Sequence, residues 1–138
     1  MNRADLQEIS RVRVAEASLL LQHGHHQGAY YLVGYAVECA LKACVARQVD
    51  RYDFPNKDLA NAVFTHDLAA LVKLAGLATE FERDRRSNPH LELNWSIVKD
   101  WKETSRYELG ISQIQAQDML SARTQRRHGI LSWIRRRW

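Results

Sequence analysis

Between Ala29 and Ala46 the chain reads AYYLVGYAVECALKACVA, with one acid, Glu38, and one base, Lys42, among apolar, aromatic and glycine residues. No other segment constrains the fold as tightly. At helical spacing it is apolar around nearly its whole circumference, and a helix of that kind is stable only where neighbours cover most of it. The expectation is a central helix, about 28–49, whose small residues Gly34, Ala36, Ala40 and Ala43 let other helices approach closely. Glu38 and Lys42 stand four apart with the acid first, the better orientation for a helical ion pair. On the helical wheel they share a narrow stripe with Tyr31 and Tyr35, which reads either as a solvated edge or as the floor of a polar cleft.

The partners of that helix are also helical, because no segment alternates strictly or clusters β-branched residues between turn signals. A first helix, about 4–22, carries Leu6, Ile9, Val12 and Leu19 to Leu21, with Asn2 or Asp5 near its start, and ends in QHGHHQG. After a long connection, RYDFPNKDLANAVF, the segment THDLAALVKLAG reads as a short helix with Thr65 as N-cap and Gly76 as its stop. Thr79 caps a further short piece, EFERDRR, which Asn88-Pro89 interrupts. Residues 91–104 place Leu91, Trp95, Val98 and Trp101 on one face, and a capping box at 112–115 opens a last helix through about Ile134. The fold class is therefore all-α, a four-helix up-and-down bundle with one or two short extra helices, in a single domain spanning 1–138.

Length and composition agree with one soluble domain: 138 residues, 46% hydrophobic and 26% charged. The apolar run ends at Glu38, short of the roughly 20 residues of a membrane span, and the polar N-terminus is unlike a signal peptide, so a cytoplasmic location without membrane contact is expected. Cys39 and Cys44 lie about 140° apart on one helix and cannot bridge, which fits a reducing compartment. The net charge is +4, and nothing acidic follows Asp118 whereas six arginines do, from Arg123 to Arg137. Such a block either complements a helix C-terminus or forms an electrostatic footprint for nucleic acid or an acidic partner.

His23, His25 and His26 form a cluster in a loop without the carboxylate or cysteine spacing that completes a metal site, so neither a metal nor a cofactor is expected. His66 follows the expected Thr65 cap, where turn packing explains it. No Gly-rich phosphate loop, nucleophile elbow or H-E-x-x-H is present.

Taken together, AYYLVGYAVECALKACVARQ, Phe54-Pro55, THDLAALVKLAGL, NWSIVKDWKETSRYE and RRHGILSWIRRRW resemble bacterial HEPN-domain proteins (higher eukaryotes and prokaryotes nucleotide-binding) over nearly the whole chain. The resemblance implies a helical bundle, a homodimer, and a place in toxin-antitoxin or defence modules, often beside a minimal nucleotidyltransferase partner. It also implies nucleotide or RNA binding, and it draws attention to Arg106 and Tyr107 beside Trp101. A guanidinium and aromatic rings suit a nucleotide's phosphate and base. The leading expectation is a ligand cleft formed by Glu38, Lys42, Tyr35, Trp101, Arg106 and Tyr107.

Some members of the family are metal-independent endoribonucleases with an Arg-x4–6-His motif, in which His moves the 2′-hydroxyl proton and Arg meets the phosphate charge. Arg85 with His90, Arg83 with His90 and Arg123 with His128 have that spacing, close to the number that so arginine-rich a chain yields by chance. Arg85 and Arg123 are followed by Arg86 and Thr124 rather than the family's common polar residue such as Asn, and no Tyr follows either histidine. A ribonuclease using Arg85 and His90, or Arg123 and His128, is thus the alternative. A non-catalytic structural interaction module is the third reading.

Overall fold

A computed structural model describes residues 1–49, 54 and 56–138; Pro55 and the 50–53 part of the expected connection lie outside the described residues. The chain is all-α, with no strand among the described residues. The first helix, α1 (Arg3–Gln22), opens with a capping box in which Asn2 and Asp5 satisfy each other's backbone N–H groups at 3.0 and 2.8 Å. It ends at His23, and Gly24 turns the chain at φ +79°. The central helix, α2 (His26–Arg47), buries twelve residues from Ala29 to Val45. By length and composition alone α2 could cross a membrane, but 67% of its most apolar window is buried inside the fold.

Several expected boundaries move, each for a local reason. Part of the expected connection is the short helix α3 (Lys57–Ala62), because the Asn56 side chain accepts from Asp58 N and starts a turn. In α4 (Leu68–Leu74) the N-cap is Asp67 rather than Thr65, with its carboxylate accepting from Ala70 N at 3.0 Å. Thr65 instead accepts from Asp67 N at 3.1 Å, a side-chain turn that leads into the helix. The next helices, α5 (Ala78–Ser87) and α6 (Pro89–Val98), meet at Asn88, which caps α6 with Pro89 at its first turn. The expected 91–104 helix therefore starts earlier and stops at Val98; Trp101 follows it, and Glu103–Tyr107 form a 3-10 turn.

The expected last helix divides into α7 (Gln113–Thr124) and α8 (Ile130–Arg135). Ser112 and Gln115 do form the capping box of α7. The break is built around Gly129, where a Cβ would overlap the carbonyl oxygens of Arg123 and Gln125. Among the described residues eight α-helices thus stand where four main ones with one or two short ones were expected.

The fold is organised around α2. α1 lies along it, stitched by a buried bond from Ser10 Oγ to the Ala36 carbonyl at 2.8 Å, while α4, α7, α8 and the 3-10 turn cover its other sides. One core joins Val33, Val37, Leu41, Leu68, Leu71, Met119, Ile130 and Ile134, each fully buried, and each such side chain contributes about 1.5–3 kcal/mol. An aromatic group extends it: Phe81 meets Trp95 edge-on at 4.9 Å and Trp133 at 4.5 Å. Trp133 Nε1 donates to Asp84 at 2.8 Å, and Arg137 lies over the Trp133 ring and pairs with Glu80 at 2.7 Å. These partners hold both carboxyls below the usual range, chiefly the indole N–H for Asp84 and the guanidinium for Glu80.

Two glycines of α2 separate by what they touch. A Cβ at Gly34 would fall inside the Trp101 indole, whereas one at Gly28 would meet only Leu20 Cδ1, at 3.2 Å. Gly34→Ala is expected to lower stability by about 1–3 kcal/mol, read as a fall in urea midpoint with an unchanged slope. Gly28→Ala should be neutral or stabilising by up to about 1 kcal/mol.

Candidate functional site

Glu38 is the buried charge around which a site is built. Its side chain is 2% exposed, in the middle of the most apolar helix, where an unpaired carboxylate would cost several kcal/mol. Two cations or donors meet it. Lys42, one turn on, donates at 2.7 Å, and His66, in the turn before α4, places Nδ1 3.0 Å from both carboxylate oxygens. Because a carboxylate accepts, His66 Nδ1 carries the proton, so its Nε2 is the nitrogen left for another partner. The imidazole is 46% exposed. The role expected for His66, turn packing beside a cap, is replaced by this one: its ring ties the start of α4 to the middle of α2.

His66 opens onto a cleft of about 740 Å3. One wall is the turn Thr65, His66 and Asp67; the other is Lys99, Asp100, Trp101, Lys102 and Glu103, between α6 and the 3-10 turn. Both signs of charge line it, with two lysines and three carboxylates. Glu38 stands behind His66 rather than in the cleft, and Lys42 borders a neighbouring apolar groove with Val45, Leu59 and Val63.

The remaining expected site residues gather along the same stripe toward the start of α2, around Tyr31. Tyr35 stacks on Tyr31 with centroids 6.1 Å apart, and Tyr31 stacks on Trp101 at 6.0 Å. Arg106 lies over the Tyr107 ring at 4.9 Å and within hydrogen-bond reach of Tyr31, which strengthens its hold on its proton. Burial pushes the Tyr35 hydroxyl up, with a contribution from Cys39. Tyr107 is 73% exposed, whereas Trp101 is 2% exposed and committed to Gly34. Trp101 therefore shows the cleft an edge and leaves no ring face for a base. Arg106 stands beside Tyr31, and neither it nor Tyr107 lines the cleft at His66. Both α2 thiols are pushed up to about 11 by burial and stay protonated at neutral pH.

In the two alternative Arg–His pairs one arginine is engaged by other groups and the other is buried, while the two histidines meet. Arg85 turns to Glu92 at 3.1 Å and lies over Phe81 and Trp95. Arg123 is 1% exposed, without a hydrogen-bond partner among the described residues, and burial lowers it to about 9, so it remains a cation at pH 7. The His90 and His128 rings stack with centroids 4.8 Å apart. Asn88 fixes the second ring's state: its Oδ1 accepts from His90 N and Leu91 N, so its amide nitrogen faces His128 Nδ1 at 2.9 Å. His128 Nδ1 is then an acceptor, and the neutral ring carries its proton on Nε2.

In the first histidine cluster, His23 Nδ1 bonds the Leu19 carbonyl at 2.8 Å; no group of three metal-ligating side chains occurs among the described residues. No protein-family model, curated protein or solved structure matches the chain.

The three members of the Glu38 cluster differ in what their loss leaves behind. Glu38→Ala removes the anchor shared by Lys42 and His66, both of which keep some access to water, and is expected to cost about 1–3 kcal/mol. His66→Ala, at a half-exposed position, should cost no more than about 1 kcal/mol. Urea denaturation of the two variants checks the order.

Proposed function

We propose that the protein is a HEPN-type helical domain that binds a nucleotide, or a nucleotide of an RNA chain, in the cleft at His66. The observation that carries this reading is the buried Glu38 carboxylate holding His66 by Nδ1, so that one ring nitrogen is presented at a cleft bearing both lysines and carboxylates. A nucleotide needs that mixture: Lys99 and Lys102 for its phosphate, His66 Nε2 and the carboxylates for hydroxyl and amino donors of sugar and base. Arg106 and Tyr107, exposed beside Tyr31, extend the binding edge. In the same reading the protein acts as a cytoplasmic homodimer in a toxin-antitoxin or defence module, with a minimal nucleotidyltransferase as a partner.

Calorimetric titration with ATP, GTP and the four ribonucleoside monophosphates tests it. His66→Ala and Lys102→Ala should each raise Kd at least tenfold for the nucleotide that binds, while Lys42→Ala, behind the cleft, should leave Kd within a factor of two. Unchanged affinity in folded His66→Ala and Lys102→Ala proteins, or no binding by the wild type, would refute the site.

The stacked His90–His128 pair favours a second reading, metal-independent ribonuclease activity, in which one imidazole takes and the other gives a proton. The exposed Arg126 and Arg127 beside it would meet the phosphate in place of the buried Arg123. On this reading His90→Ala and His128→Ala each lower RNA cleavage in EDTA by about 10²–10⁴-fold. Cleavage that survives the double variant removes the pair.

A further inference from the structure

Arginines from three helices converge at the end of the chain. Arg3 of α1 donates to the Trp138 main-chain oxygen at 2.7 Å, and Arg47, which ends α2, donates to the Arg137 carbonyl at 2.9 Å. Arg11 and Arg135 both lie over the Trp138 ring, with guanidinium carbons 5.1 and 5.5 Å from its centroid. Arg136 is exposed beside them. Side-chain carboxylates do not balance this face. Glu8 takes Arg11, Glu80 and Asp84 take Arg137, and Arg3 is taken by the Trp138 main-chain oxygen, but Arg47, Arg135 and Arg136 have no side-chain carboxylate within ion-pair distance among the described residues.

Beneath this face lies Arg123, whose three guanidinium nitrogens are buried and unpartnered among the described residues, and the charge that bears on it is Arg135, of like sign. Arg135 in turn feels Arg11. A cation in a low-dielectric interior is poorly screened, so its field adds to that of the arginines above. Compensation of a helix dipole accounts for Arg47, at the end of α2, but not for the group, because α8 has only six residues and Arg3 stands at the start of α1, where a cation is unfavourable.

We propose that this face, formed by the start of α1, the end of α2 and α8, binds the phosphate backbone of a nucleic acid, at a site separate from the cleft at His66. Guanidinium forks match phosphate oxygens; Arg135, stacked on Trp138, keeps its N–H donors for an anion, and Arg11 keeps those that Glu8 does not take. Arg11 and Arg135 already cover the Trp138 ring, so the face presents guanidinium groups there rather than an aromatic anchor of the kind protein interfaces use, which favours a phosphate backbone over an acidic protein.

Fluorescence anisotropy of a labelled 20-nucleotide single-stranded RNA of mixed sequence, titrated at 50 to 200 mM salt, tests the proposal, with a duplex DNA of the same sequence as a second arm. Arg11→Gln/Arg135→Gln should raise Kd for RNA at least tenfold and reduce the log–log salt slope by about 1.4, at roughly 0.7 per lost phosphate contact. Arg136→Gln, whose side chain makes no contact that the fold needs, should reduce it by about 0.7. Arg86→Gln, at an exposed arginine of α5 away from this face, should change neither Kd nor slope, which separates this surface from the general positive charge of the chain. Parallel losses in both arms support backbone recognition, and the tighter arm identifies the nucleic acid. Absence of binding to both, or variants with wild-type thermal midpoints and unchanged Kd and slope, would overturn it.

Discussion

The contact on which the candidate site depends is apolar: the Trp101 indole lies in the space that a side chain at residue 34 would occupy. This close approach fastens the segment after α6 directly to the backbone of α2. The opposite wall of the cleft is fastened to the same helix by a different force, through His66 on Glu38. Both walls are thus referenced to one rigid element, and the width of the cleft is set by the distance along α2 between Gly34 and Glu38, about one helical turn. A ligand at His66 would meet a shape largely formed in advance, which reduces the ordering cost of binding.

The molecule handles its two most buried charges in opposite ways. Glu38 is desolvated but receives Lys42 and His66, so its charge is neutralised locally and the cleft in front of it carries mixed signs. Arg123 is equally buried and receives no acceptor among the described residues, while its charged neighbour repels it. Replacing a buried ion by a well-packed apolar residue is often stabilising, so a cation of this kind is a cost to the fold. Its placement under Arg135 concentrates positive potential on one end of the molecule and leaves the cleft near neutral. The two surfaces therefore suit different parts of an anionic ligand: one a whole nucleotide with its donors, the other a run of phosphates.

What could be read from the sequence follows from which forces are local. The central position of α2 was legible because burial of a helix apolar on all sides has one solution, and the Glu38–Lys42 pair was legible because i,i+4 spacing is fixed by the helix itself. His66 was misread: T-H-D-L reads with Thr65 as the cap, and only the fold decides that Asp67 caps α4 while the histidine reaches across to α2. The clearest signal was a lone acid in an apolar helix, which requires a partner from elsewhere in the chain. The division of the last helix was hidden for a similar reason. Gly129 inside an apolar-periodic stretch costs a helix only about 1 kcal/mol, too little to announce a break, yet the turn needs it because no Cβ fits beside the carbonyls of Arg123 and Gln125.

That break also explains why motif spacing and spatial pairing part company at Arg123 and His128. Arg123 remains on the inward side of α7, one residue before the helix ends, whereas the residues after Gln125 turn back, with Asn94 donating to the His128 carbonyl at 2.7 Å and Asn88 facing its ring. Five residues of separation thus connect a core position to a half-exposed one. Arg85 is drawn off similarly, by Glu92 and by two aromatic rings that hold its guanidinium flat. The histidines of the two motifs, 38 positions apart in the chain, end up ring on ring because Asn88 both caps the helix that carries His90 and bonds His128. Chemistry at that place would belong to the imidazole pair and to the exposed arginines of the 125–129 turn, and an Arg-x4-His spacing would have had no part in selecting them.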